Sequence, residues 1–256
     1  MAELVLIDTA DRVRTVTLHR PEARNALSVA LQREAGAALA DADTDSDVDV
    51  VILTGSDPAF CAGLDLRELG KDASNLVGGA DDPSISPFSA LWKMTKPVIG
   101  AINGPCVTGG FELALACDFL VASERAAFAD THGRVGVMPA GGMSVFLPQV
   151  IGVRKAKEMS LTGNFMGAHE AFARGLVNHV VAHDELLPAS RKLAADMVGN
   201  DQAAVRNLKK LYDANAKVTV GAAIDQEQAY FRDWRIDPAE IERRRTGIVE
   251  RGRGQQ

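Results

Sequence analysis

The chain has 256 residues, of which 46% are hydrophobic and 24% are charged, and these values are ordinary for a globular protein with a substantial core. Its formal net charge is -6, so no overall positive field would attract nucleic acid or an anionic lipid surface. No run reaches the roughly 18 apolar residues that suggest a membrane span. We therefore expect neither a nucleic-acid partner nor a membrane partner.

The cysteines and the first residues indicate the compartment. Cys61, Cys106 and Cys117 are an odd number, with no CxxC pair and no histidine nearby at metal-ligand spacing. They are expected to be reduced thiols, and we expect no metal site. The start of the chain carries acidic residues where a signal peptide needs a basic end. A cytoplasmic protein is the simplest expectation.

The first elements are a hairpin and a helix. Short β-rich runs at 3–8 and 13–19 are separated by a turn-like Ala10-Asp11-Arg12, which predicts an antiparallel pair. From Ala26 to Ala42, apolar residues recur at helical spacing. The sequence therefore predicts a hairpin followed by an amphipathic helix.

Alternating β and α elements follow. Continuous apolar runs favour strands that are covered on both faces, and they lie at 48–53, 97–102 and 119–122. Helical or Gly-rich segments separate them, which favours an α/β fold with a mainly parallel sheet. Residues 70–87 are rich in Gly, Asp, Ser and Pro and predict a mobile surface loop.

From about residue 184 the β signal disappears and helical patterns replace it. The sequence therefore predicts a core over 1–183 and a helical C-terminal portion over 184–256. The predicted helices span 184–199, 202–215, 219–234 and 238–250.

Two segments suggest chemistry at main-chain atoms. Residues 59–66, AFCAGLDL, follow a predicted strand, and their small side chains let a ligand approach the backbone closely. Residues 102–118 show the pattern of a strand, a glycine turn and a helix. A helix that opens at Gly109-Gly110 would aim free N–H groups and a positive dipole end at whatever lies beyond it.

Together these motifs resemble the crotonase superfamily, the enoyl-CoA hydratase/isomerase family, and within it most closely the hydratases. AFCAGLDL is followed by KPVIGAINGPCVTGGFELALACD, FADTHGRVGVMPAGG and LTGNFMGAHEAFARGLVNHVV, so the resemblance covers nearly the whole chain. It implies a spiral of ββα units with a mainly parallel sheet. It also implies that 1–183 carries the acyl-CoA site and that 184–256 forms trimers or pairs of trimers.

The resemblance assigns roles to three residues and shows one departure from the family pattern. Backbone N–H groups of Leu64 and Gly109 would form an oxyanion hole for the thioester carbonyl, which gains negative charge as an enolate develops. Glu112 matches one catalytic glutamate of the hydratases. The second should lie twenty residues later, where this chain has His132.

Two roles for His132 stay open. Neutral imidazole both accepts and donates a proton, so His132 could replace the missing acid. Alternatively, it tunes substrate choice while Glu112 handles both proton transfers. Asp130, two residues away, could orient His132 or serve as another carboxylate. The histidine weighs against the double-bond isomerases, and Ala140 stands where dienoyl isomerases use aspartate.

The resemblance also implies the coenzyme contacts. Arginine forks suit phosphate oxygens and would supply the local positive charge that an acidic chain otherwise lacks. The implied substrate-binding residues are Arg24, Ala62, Asp65, Leu66, Arg67, Gly110, Pro139 and, on the helix of a neighbouring subunit, Arg251.

The expected function is that of an enoyl-CoA hydratase, a hydro-lyase that reversibly adds water to a 2-trans-enoyl-CoA to give a 3-hydroxyacyl-CoA. No cofactor is expected, since coenzyme A is part of the substrate. Because His132 replaces the second glutamate, two alternatives remain: another crotonase-type reaction (isomerase, hydrolase or lyase) and a non-catalytic acyl-CoA-binding protein. No GxGxxG, GxSxG, P-loop or HExxH motif supports an unrelated enzyme class.

Overall fold

The computed structural model describes residues 3–71, 86–235 and 237–254, without the side chains of 246, 248 and 250–254. The loop expected at 70–87 lies mostly outside the described residues. The strands are Val5–Ala10 (β1), Val13–Leu18 (β2), Val50–Gly55 (β3), Val98–Ile102 (β4), Pro105–Val107 (β5), Phe119–Ser123 (β6), Ala127–Ala129 (β7), Met166–Gly167 (β8) and His179–Val181 (β9).

The helices alternate with these strands and then continue alone to the C-terminus. They are Val29–Thr44 (α1), Leu66–Leu69 (α2), Pro87–Lys93 (α3), Gly109–Leu115 (α4), His132–Val135 (α5), Met143–Ile151 (α6), Val153–Thr162 (α7), Ala168–Ala173 (α8), Leu186–Val198 (α9), Gln202–Asn215 (α10), Val220–Asp233 (α11) and Pro238–Gly254 (α12).

The main sheet has six strands in the order β1-β2-β3-β4-β6-β9. Strands β1 and β2 pair antiparallel, with Val5 opposite Leu18, which confirms the predicted hairpin. Every other pair in this sheet is parallel. The α/β class with a mainly parallel sheet is therefore confirmed, as is the helical C-terminal part.

A second, smaller sheet contains β5, β7 and β8. Its strands β5 and β7 are parallel, with Cys106 opposite Phe128. The carboxyl ends of two parallel strands lie at the same edge of a sheet. The segments that begin at Thr108 and at Asp130 therefore leave this sheet side by side.

Both faces of the main sheet are covered. Along β3, Val51 and Leu53 belong to one hydrophobic core, whereas Val50 and Ile52 belong to another. This alternation follows the two-residue period of a strand. The second core is closed by α9, so the predicted burial of this run on both faces is confirmed.

The described chain forms two compact units, residues 1–206 and 207–256. Sequence analysis placed the boundary at 183/184, where the β pattern ends. The first unit extends further because Leu186 and Ala194 of α9 are buried with the strands. In the second unit the ammonium of Lys210 lies 5.7 Å from the centre of the Tyr230 ring. The trimerisation role of the C-terminal region stays a prediction.

Candidate active site

The Leu64 amide lies on the outer side of a short parallel bridge. Leu27 donates its N–H to the Gly63 carbonyl (2.8 Å), and Asp65 donates its N–H to the Leu27 carbonyl (3.2 Å). Backbone N–H groups of adjacent residues in extended chain point in opposite directions. The N–H of Leu64 therefore points away from Leu27.

The amides of Leu64 and Gly109 are neighbours. A methyl group placed on Gly109 would lie 3.6 Å from the Leu64 nitrogen, and one placed on Gly63 would lie 3.4 Å from the Gly109 nitrogen. Gly109 is the first residue of α4, so its N–H has no partner within the helix. Neither amide donates a hydrogen bond to another described residue. The pair can therefore serve an external acceptor oxygen.

Close backbone packing holds the two segments together. The N–H of Val107 donates to the Cys61 carbonyl (2.9 Å). A methyl group on Gly110 would lie only 2.3 Å from the same carbonyl oxygen. Gly110, expected to contact substrate, therefore has a clear structural requirement: it lets the first turn of α4 approach the 59–66 segment.

Thr108, which precedes the Gly109 amide, has an uncommon backbone conformation with φ 49° and ψ -109°. Positive φ in a β-branched residue costs on the order of 1–3 kcal/mol and persists only where its surroundings enforce it. Thr108 donates its N–H to Ala129 (2.8 Å), and its Oγ1 accepts the N–H of Thr131 (3.0 Å). The two threonine hydroxyls also lie 2.5 Å apart. These bonds fix the direction of the following amide.

Glu112 lies in the first turn of α4 and is 4% exposed. Its Oε1 accepts the N–H groups of Gly141 (2.7 Å) and Met143 (3.3 Å), where α6 begins. Burial raises the pKa of Glu112 above its ordinary value, and the nearby His132 and these two N–H groups offset that effect only in part. A carboxyl group with a raised pKa suits proton transfer near neutral pH.

His132 connects two carboxylates. Its Nε2 lies 3.7 Å from Oε2 of Glu112, and its Nδ1 lies 2.6 Å from Oδ1 of Asp130. The His132 backbone N–H also donates to that Asp130 oxygen (3.1 Å). Burial acts to raise the pKa of Asp130, but hydrogen bonds from His132 and Ser160 hold it below its ordinary value. The structure thus brings both predicted catalytic side chains together.

Four of the residues expected to bind substrate, Arg24, Ala62, Asp65 and Arg67, have hydrogen bonds close to Leu64. Arg24 is exposed, and its carbonyl accepts the N–H of Ala62 (3.0 Å). The Asp65 carboxylate caps α2 through the N–H of Arg67 (3.0 Å) and pairs with Arg20 (3.1 Å). That carboxylate is thus occupied in shaping the loop.

Three further predicted residues lie apart from these contacts. Leu66 is 57% exposed on α2, and Pro139 is half-buried between α5 and α6. Arg251 belongs to α12, but its side chain lies outside the described residues. A small, open recess adjoins the Leu64 segment. It is lined by Leu27, Val29, Gln32, Leu64, Asp65, Glu68 and Leu69.

Sequence reasoning missed the main-chain donors from Gly141 and Met143 and the hydrogen bonds of Thr108 to the Ala129–Thr131 segment. The glycine pair before the helical run at 143–151 was an available signal, because small residues permit close approach. The side-chain bond between Asp130 and Ser160 had no signal, since it joins residues thirty positions apart.

No group of three or more His, Cys, Asp or Glu side chains among the described residues could hold a metal ion. No helix in the described part of the chain is long and apolar enough to cross a membrane.

Known proteins are similar to this chain in sequence and fold. The family model described as enoyl-CoA hydratase/isomerase matches residues 8–255. "Probable enoyl-CoA hydratase 1, peroxisomal" of Arabidopsis thaliana is 41% identical over 216 residues, covering 84% of this chain and 80% of that protein. A carnitinyl-CoA dehydratase of Escherichia coli is 33% identical, covering 91% and 87%. The crystal structure of an enoyl-CoA hydratase from Mycobacterium tuberculosis superposes with a TM-score of 0.76 at 54% identity, covering 88% and 96%.

Proposed function

The chain belongs to the enoyl-CoA hydratase/isomerase family, and from that premise we propose that it is a hydro-lyase that reversibly adds water to a 2-trans-enoyl-CoA. The product is a 3-hydroxyacyl-CoA. The observation that carries the proposal is the placement of Glu112 and His132, 3.7 Å apart, on segments that adjoin the Gly109 amide. The reaction needs no cofactor beyond the coenzyme A of its substrate.

In this proposal the two free amides polarise the thioester carbonyl. The thioester oxygen accepts the N–H groups of Leu64 and Gly109, and it becomes more negative as water attacks carbon three and an enolate forms. Donors held in place stabilise this charge more than they stabilise the ground state. One such donor is typically worth about 3–4 kcal/mol of transition-state stabilisation. Because Leu64 acts through its backbone N–H, its side chain is free to shape the pocket.

Glu112 and His132 supply the proton transfers. Oε1 of Glu112 is held by two N–H groups, so Oε2 is the oxygen that activates water. Glu112 takes one proton from the water while its hydroxyl bonds to carbon three, and the imidazolium Nε2–H of His132 protonates carbon two. The proton on Glu112 then returns to His132, which lies 3.7 Å away. The step is balanced: the hydroxyl of water is on carbon three, a proton is on carbon two, and both side chains return to their starting protonation states.

The test follows loss of the conjugated enoyl-thioester absorbance with crotonyl-CoA and its longer homologues. Glu112→Gln keeps an oxygen for the two main-chain donors but cannot shuttle a proton, and kcat is expected to fall by about 10²–10⁴-fold. The kcat of His132→Ala is expected to fall by a similar factor. Glu158→Gln and His169→Ala, changes of exposed residues, are the matched controls and should behave as wild type.

Each other outcome selects an alternative. Retained hydration in His132→Ala would remove that residue from the proton transfers and leave Glu112 to perform both. Tight binding without turnover of any thioester would favour an acyl-CoA-binding protein. Release of free coenzyme A by the wild type would favour a hydrolase. Either of the last two results would overturn the hydratase proposal.

Assembly and location are also proposed rather than observed. We expect a homotrimer or a dimer of trimers, as the family resemblance implies, with 184–256 contributing to assembly. Sedimentation velocity of the full chain tests this, and a monomer at micromolar concentration would contradict it. A cytoplasmic location stays a prediction that cell fractionation can check.

A further inference from the structure

Asp130 accepts two hydrogen bonds from His132, one from its backbone and one from its ring. It follows β7, is 2% exposed, and one of its oxygens, Oδ1, receives both the backbone N–H of His132 (3.1 Å) and the ring Nδ1 (2.6 Å). A further hydrogen bond comes from the side chain of Ser160 on α7. The carboxylate is thus held from two elements and meets the imidazole at its Nδ1 atom.

This contact decides where the imidazole carries its proton. An ionised carboxylate only accepts hydrogen bonds, and a neutral imidazole has one N–H. The nitrogen that faces Asp130 must therefore be the N–H donor. In the neutral ring the other nitrogen, Nε2, is therefore the acceptor, and it faces Oε2 of Glu112. Transfer of the Glu112 proton to Nε2 gives the imidazolium that protonates carbon two. The pKa of Asp130 lies below its ordinary value, which keeps the carboxylate ionised at neutral pH.

We propose that Asp130 is a positioning residue, which fixes the Nδ1–H tautomer and the ring orientation of His132 so that Nε2 exchanges protons with Glu112 and substrate. Asp130 itself touches neither substrate nor the reacting carbons. Its negative charge also stabilises the imidazolium that forms when Nε2 accepts a proton. The kinetic consequences rest on the proposed hydratase function, whereas the tautomer assignment does not.

The bond to the backbone N–H alone would be an ordinary helix-start cap, because Asp and Asn often accept such N–H groups. A cap needs no contact with a ring nitrogen. The second bond, at 2.6 Å, is shorter than the first and meets the ring instead. The ionisable groups that contact the His132 ring within the described part of the chain are Asp130 and Glu112, so these two carboxyl groups determine which ring nitrogen carries the proton.

Nitrogen-15 NMR of histidine-labelled full-length protein tests the proposal without requiring turnover, since the two ring nitrogens resonate differently in each tautomer. The His132 signals are identified by their loss in His132→Gln. Wild type is expected to show Nδ1 protonated and Nε2 bare at a pH where the ring is neutral. Asp130→Ala removes the acceptor, so the Nδ1–H form should lose its dominance. Asp130→Asn keeps an oxygen but removes the charge, so the preference for the Nδ1–H form should weaken.

The kinetic arm uses the same variants with crotonyl-CoA. Both should lower kcat by about 10-fold to 100-fold, the scale for a misplaced catalytic group, with KM nearly unchanged. Asp49→Asn, a buried acid with arginine partners instead of a histidine, controls for loss of stability and should leave the His132 signals unmoved. An unchanged His132 tautomer in both Asp130 variants would overturn the proposal. A wild type without hydratase activity would sink the proposed function and leave the NMR result to decide on Asp130.

Discussion

Replacing Gly141 by alanine tests whether turnover depends on the position of the Glu112 carboxylate. A methyl group on Gly141 would lie 2.8 Å from Cβ and Cδ of Glu112 and 2.9 Å from Oε2. Ordinary van der Waals contact begins at about 3.4 Å. The carboxylate must therefore move by about 0.6 Å, the difference between 3.4 and 2.8 Å, or the main-chain donor at Gly141 must retreat.

Either movement weakens the geometry on which proton transfer depends. A misplacement of about 1 Å at a reacting group costs roughly 100-fold in rate. A shift of somewhat more than half that distance should lower kcat by about 10-fold to 100-fold, which equals about 1.4–2.7 kcal/mol in the activation free energy. KM should change little, because the amides of Leu64 and Gly109 are untouched.

The assay is enoyl-thioester hydration at saturating substrate, with the free energy of unfolding measured in urea on the same samples. Gly167→Ala is the matched control, because nothing lies within 4 Å of a methyl group there and its φ is -77°. Wild-type kcat in Gly141→Ala would refute the reasoning, since the carboxylate would then tolerate displacement. An equal loss of kcat in Gly167→Ala would show that any glycine change damages the enzyme.

Three further outcomes are expected. The pKa of Glu112 is raised above its ordinary 4.5 by burial, so the native state holds that proton more tightly and stability falls as pH rises through the window between the two pKa values. Glu112→Gln should therefore gain stability relative to wild type between mildly acidic and neutral pH in urea titrations; a constant difference would contradict this. The pKa of Asp49 is lowered, chiefly by its hydrogen bond from Arg12, so its stabilisation is present above pH 3.8 and is lost as pH falls through the depressed value. Asp49→Asn should cost about 1–3 kcal/mol at neutral pH, with the difference shrinking in acid. Thr108→Val keeps the β-branch but removes the acceptor for the Thr131 N–H, and it should cost about 1–3 kcal/mol; an unchanged urea midpoint would show that this bond is dispensable.

The sequence predicted strands and helices correctly where the pattern of hydrophobic residues reflects which side chains are buried. The apolar runs at 48–53 and 119–122 became β3 and β6 because a strand covered on both faces carries hydrophobic residues at every position. The last three predicted helices agree with α10, α11 and α12 to within a few residues. The strands of the small sheet were missed, since two or three residues are too few to show a period.

The candidate site could be predicted where its residues lie close together in the sequence. The Leu64 and Gly109 amides and Glu112 lie within short motifs, so resemblance and helix geometry identify them. The donors to Glu112 come from residues 29 and 31 positions away, and local sequence carries no record of such a contact. The positive φ of Thr108 was equally hidden, because β-branched residues rarely adopt it.

The small sheet sends the oxyanion segment and the histidine segment out from adjacent parallel strands, β5 and β7. The first segment would act through main-chain atoms that every amino acid possesses, whereas the second would act through a side chain. Substitution can therefore exchange the acid or base at residue 132 while leaving carbonyl polarisation intact. A scaffold divided in this way can diversify its reactions one position at a time without rebuilding the part that holds the thioester.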